Sequence, residues 1–170
     1  MRDMRANRRQ DACAPEMREL ISSFNEQFAR LHHRSAGLIK KLSPNGLYAR
    51  PQCRTTPTSS LSCGEYVLRS AAAVEQTFGG ISVNLWDDPF EWTLPETLAS
   101  ADKVIEYLNE VEATRNRGLA LFKDDEELLK EIVAPSGNTL LVSLLLDTLV
   151  RAAHYLGAAE ATFVLLRDQA

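Results

Sequence analysis

Apolar side chains recur along most of this chain at steps of three and four residues, the period of an amphipathic helix. Met17, Leu20, Ile21, Phe24, Phe28, Leu31 and Leu38 mark a first helix over about residues 15–42. Pro15 suits its first turn, and Glu16 and Glu19 favour the positive end of the helix dipole. Ser43-Pro44-Asn45-Gly46 ends it. An irregular stretch with Pro51 and Pro57 follows, then a second helix over about 60–78, with Gly79-Gly80 as its stop. A third helix spans about 96–122, with Leu98, Ala101, Ile105, Leu108, Val111 and Leu119 as its stripe. A short helical piece over 124–132 precedes the break Pro135-Ser136-Gly137. The fourth helix starts near Asn138 as N-cap, is the most apolar element, and is kinked or interrupted at Gly157, with a further helical stretch over 158–166. No alternating run is long enough for a sheet. The pattern predicts an all-α fold, an up-down four-helix bundle with a long first connection.

The loop over 81–95 departs from ordinary loop composition: Leu85, Trp86, Phe90, Trp92 and Leu94 are all large and apolar. Two exposed indoles would leave much apolar area in water, so this loop is expected to pack across the end of the bundle or against a partner subunit.

Length and charge narrow the function classes. The 170 residues fit one domain, here 15–170, preceded by a flexible basic arm over 1–14 that carries Arg2, Arg5, Arg8 and Arg9. A net charge of −4 sets up no field that recruits nucleic acid. Cys13, Cys53 and Cys63 form neither a paired framework nor a zinc spacing, which suits a reducing compartment. The longest apolar run, 140–146, is broken by Ser143 and falls short of the roughly 20 residues of a bilayer span. The expectation is a soluble cytoplasmic protein with no membrane and no nucleic-acid partner.

Candidate chemistry gathers on the second and fourth helices. Ser143, Asp147, Arg151 and then His154 or Tyr155 recur at helical spacing on a helix otherwise made of Leu, Val and Ala. The strip faces either solvent or a pocket. On the second helix Glu65 precedes Arg69 by four residues, as Asp147 precedes Arg151, so each arginine has a carboxylate one turn away on its own helix. His32 and His33 are adjacent, point about 100° apart and do not chelate one ion together. Cys63, early in the second helix, is either a buried small residue or a thiol activated by the helix start. No phosphate loop, calcium loop or Ser–His–Asp arrangement is present.

The segment 62–75, SCGEYVLRSAAAVE, resembles the second helix of the DinB superfamily, which usually reads Gly-Glu-x-Leu-x-His followed by Val-Glu. The segment 145–157, LLDTLVRAAHYLG, resembles that family's last core helix, where His-x-x-x-His-Arg-Gly is usual. With the loop DDPFEWTLPE and the first helix, the resemblance covers about 16–166. It implies a four-helix bundle, commonly dimeric, often holding a divalent metal through three histidines; some members are thiol-dependent transferases or isomerases. The three ligand positions fall here on Arg69, Arg151 and Tyr155, with His154 one residue before the third. Two guanidiniums and a phenol do not build that site, because arginine does not shed its proton. The expectations are therefore no metal and no cofactor, a homodimer acting as a binding or interaction protein, and a pocket of Arg69, Arg151, Tyr155, Glu65, Asp147 and His154. That pocket is either a salt-bridge cluster or a site for a small anionic ligand. A transferase-like use of the same pocket, or a metalloenzyme with non-standard ligands, is the alternative.

Overall fold

The computed structural model describes residues 18–43, 45–51, 61–88 and 95–168. It is mostly helical, with four long helices: α1 (Glu19–Ile39), α2 (Cys63–Val83), α3 (Ala101–Leu119) and α4 (Leu141–Arg167). Cys13, Pro15, Glu16, Met17, Pro44, Cys53, Pro57, Phe90, Trp92, Leu94 and the basic arm, all named above, lie outside the described residues.

The starts of α1, α2 and α3 are satisfied by side chains. Four amide N–H groups at a helix start have no partner within the helix. The first turn of α1 has no side-chain cap of its own, and the carboxylate of Asp125, far along the chain, accepts from the amides of Leu20 and Ile21 at 3.0 Å each. Ser62 and Glu65 form a reciprocal capping box on α2: Glu65 N–H donates to Ser62 Oγ at 3.2 Å, and Ser62 N–H to Glu65 Oε2 at 2.7 Å. Ser100 caps α3 through Lys103 N–H.

Phe28 of α1 meets Phe78 of α2 edge-on at 5.4 Å in the common core. Ala71, Ala72 and Ala73 let neighbours approach α2 closely. The contacts fix directions. Asn25 of α1 meets Arg115 of α3, and Arg34 of α1 meets Glu160 of α4, so α1 runs against α3 and along α4. Ser70 meets Ala152 and Thr77 meets Thr148, so α2 runs against α4. Glu75 meets Tyr107 and Phe78 lies on Gly118, so α2 and α3 run the same way, and the order is up-down-down-up in place of the up-down order expected from the sequence.

Two parallel neighbours need a connection that returns the length of a helix, and the aromatic-rich loop is that connection. Its described part turns back along α2 instead of crossing the end of the helices as expected. Gln76 Nε2 donates to the Trp86 carbonyl at 2.8 Å, and the Trp86 ring lies where a side chain on Gly80 would stand. The glycine pair 79–80 therefore does not stop α2. It makes room for the returning strap, and the helix ends at Asn84, left-handed at φ 56°.

The expected short helix over 124–132 is a 3-10 turn, Asp125–Leu129, followed by a two-stranded antiparallel hairpin, β1 (Glu131–Ala134) and β2 (Gly137–Leu140). The sequence shows no sheet there because strands of four residues carry too short an alternation to register. Asn138 consequently sits in β2 and caps nothing; α4 begins at Leu141 and continues unbroken through Gly157. By length and composition α4 is the one helix among the described residues that passes for a membrane span. Averaging over a helix admits what counting an uninterrupted apolar run does not, and a core helix passes the same test.

Candidate functional site

Arg69, Ala72, Ala73 and Gln76 follow one another at three- and four-residue steps and share one face of α2. Arg151 and Tyr155 share a face of α4. The Ser70 hydroxyl donates to the Ala152 carbonyl at 2.8 Å in the buried seam between these helices and fixes their level. With Ala72 and Ala73 offering little bulk, Arg69, Gln76, Arg151 and Tyr155 surround a cleft of about 60 Å³, with Asp88 of the returning strap on its rim.

Arg151 is held in place. Its Nη2 donates to Gln76 Oε1 at 3.2 Å and to the Ala73 carbonyl at 3.5 Å. The other end of the Gln76 amide donates to the Trp86 carbonyl, so one side chain ties α4, α2 and the strap together. Both arginines are exposed, and among the described residues no carboxylate forms an ion pair with either. Asp88 brings one negative charge to the rim and has a partner of its own.

Of the six residues singled out from the sequence, Arg69, Arg151 and Tyr155 come together. Glu65, Asp147 and His154 do not join them. Glu65 is spent on the cap of α2 and on Arg50, which reaches Oε1 at 2.8 Å. Burial works against its ionised form, but the hydrogen bonds from Ser62 and Arg50 outweigh it and hold the carboxyl below its usual range. Asp147 is exposed and forms no ion pair with Arg151 among the described residues; Gln76, across the seam, takes its place. His154 is exposed, with its ring 5.9 Å from that of Tyr155. The salt-bridge cluster built on Glu65 and Asp147 is therefore not formed. Helical spacing shows which groups are within reach, but a capping box and an interhelical amide are better partners than an exposed neighbour on the same helix.

Two other candidate groups are withdrawn from solvent to different degrees. Cys63 is fully buried, and burial pushes its thiol up to about 12, which excludes an activated thiolate at the helix start. His32 is half-buried between α1 and α3, and burial lowers its pKa. No group of three His, Cys, Asp or Glu side chains suited to a metal ion occurs among the described residues.

Two features escaped the sequence reading. Arg115 of α3 is only 2% exposed; it binds Glu112 through Nε at 2.9 Å and Nη2 at 2.5 Å, and reaches Asn25 and Asn116. A groove of about 770 Å³ lies between the second half of α2, α3 and the strap, where Tyr107 donates to Glu75 Oε2 at 2.5 Å. An isolated Glu75 after the run Ala71-Ala72-Ala73-Val74 was the available signal for the second; for the first it was Glu112 three residues before Arg115, a spacing that shows the pair but not its burial. Comparison with protein-family models, with curated proteins and with solved structures yields no match for this chain.

Proposed function

We propose that the protein is a DinB-like four-helix bundle that has given up the family's metal chemistry and acts by binding. The observation that supports this reading is the convergence of Arg69, Arg151 and Tyr155, from two helices far apart in the sequence, on one cleft. They are the positions at which the resemblance expects three histidines. The side chains present do not fit a metal: each guanidinium keeps its proton and repels a cation, and a lone phenol is a poor substitute for imidazole. The chain works in the cytoplasm, in keeping with an odd count of three cysteines, as a homodimer. Leu146, Val150 and Val164 stand exposed along the outward side of α4, around the uncovered Gly157, and a second copy covers them.

Elemental analysis of the purified protein tests the reading. Zinc, nickel and manganese are expected well below one equivalent per chain. About one metal per chain, lost on His154→Ala, overturns it. Light scattering tests the dimer, and a monomer across micromolar concentrations contradicts it.

A further inference from the structure

We infer that the cleft between α2 and α4 is a binding site for a single oxyanion group, the phosphate or carboxylate head of a small molecule. The inference rests on the metal-free reading of the same positions and adds the ligand class.

Charge comes first. Arg69 and Arg151 bring two positive charges to the cleft and Asp88 one negative charge, which leaves the cleft net positive in a chain of net charge −4. Neither guanidinium is neutralised by an ion pair among the described residues. Two like charges held around one small space repel, and an anion between them removes the repulsion.

Donor geometry comes second. A guanidinium carries five N–H donors in a planar fork. Arg151 uses Nη2 on Gln76 and Ala73, which orients the fork and leaves its other donors for a ligand. Arg69 and the Tyr155 hydroxyl complete a set that matches oxygen acceptors, the chemistry for which arginine is suited in preference to lysine. Gln76 has both ends of its amide engaged, so its role is to position Arg151 and not to touch the ligand.

Size comes third. A cleft of about 60 Å³ has room for a compact group such as one oxyanion head. Because both arginines are exposed, binding is weak for a bare anion and falls as salt rises.

Thermal shift and calorimetry at constant ionic strength, with inorganic phosphate, acetate and chloride as probes, test the site. Phosphate, acetate or both are expected to raise the melting temperature of the wild type, and chloride is not. Whichever oxyanion binds more tightly identifies the head group. Arg69→Gln and Arg151→Gln should each weaken binding at least tenfold with circular dichroism unchanged. Arg34→Gln, which removes a positive charge that faces Glu160, should leave it intact. Gln76→Leu should weaken binding less than Arg151→Gln does. An absence of any effect of both oxyanions, or an equal loss in Arg34→Gln, overturns the site. Metal content is measured on the same sample. Metal-free protein that ignores oxyanions sinks this inference alone, whereas bound metal sinks the reading beneath it.

Discussion

Arginine is used in two opposite ways in this molecule. Arg115 is enclosed between α1 and α3, and every side of its guanidinium is met by Glu112, Asn25 or Asn116. Arg69 and Arg151 stand on the outer seam of α2 and α4, where one is tethered to an amide and neither forms an ion pair among the described residues. The difference follows from where desolvation is already complete. A buried charge must find its partners within the chain, since leaving one unmet costs several kcal/mol. A charge at the surface is solvated by water, so its hydrogen-bonding capacity stays available to something else. The first arrangement holds the fold together and the second leaves room for a ligand.

The largest effect that can break this contrast is at Arg115. Arg115→Ala leaves Glu112 facing an empty buried site and should cost about 3 kcal/mol or more, read from urea denaturation. A cost no greater than that of Arg69→Gln removes the distinction between the two regions. Next is the seam of α2 and α3, where a methyl on Gly118 would stand 2.5 Å from the ring of Phe78, itself fully buried against Phe28. Gly118→Ala should lose about 1–3 kcal/mol by overpacking, less a helix-propensity gain of about 1 kcal/mol. A net gain in the same urea experiment shows that the ring moves freely. Ser62→Ala removes a fully buried cap and half of the capping box, at about 1 kcal/mol. It should not alter anion binding, because Glu65 does not serve the cleft.

A smaller effect is carried by pH. Burial lowers the folded pKa of His32 below its unfolded value near 6.5, with Glu112 opposing and His33 and Arg115 adding to the shift. The unfolded chain therefore binds the proton first, so this group makes the protein less stable as pH falls through about 6.5 toward its folded pKa. Glu112 acts in the same direction at lower pH. Burial opposes its ionisation, but Arg115 overrides that and depresses the folded pKa, so its contribution is present above about 4.5 and lost in more acid solution. His32→Gln should flatten the stability profile between pH 7 and 5.5, and an unchanged slope shows that His32 is solvated in both states. The smallest stability effect belongs to the cleft itself. Arg69→Gln and Arg151→Gln should shift stability by no more than about 0.5 kcal/mol in the absence of anion.

Much of the helical content was legible because long amphipathic segments repeat their period several times. Boundaries were less so. Gly79-Gly80 looked like a stop, and only the position of Trp86 shows that the missing side chains are needed there. Pro15, Glu16 and Glu19 marked a start for the first helix, but the amides of Leu20 and Ile21 are met by Asp125 from beyond α3. At the site, spacing correctly put Arg69 on one face of its helix and Arg151 with Tyr155 on one face of theirs. It chose the wrong partners, because Glu65 and Asp147 are neighbours in sequence and Gln76 is a neighbour only across the seam.

Periodicity and composition thus determined on their own that the chain builds four long helices with apolar faces, since that information is local and repeated. Sequence also determined which side chains share a helical face, and that Arg69 and Arg151 stand as protonated guanidiniums, which is a property of the residues themselves. Only the tertiary structure decided that α2 and α3 run parallel, that the tryptophan-bearing strap returns along α2, and that two arginines from different helices meet around one cleft. Those outcomes depend on which faces pack and at what level, and that is set by contacts between residues far apart in the chain, which no local pattern encodes.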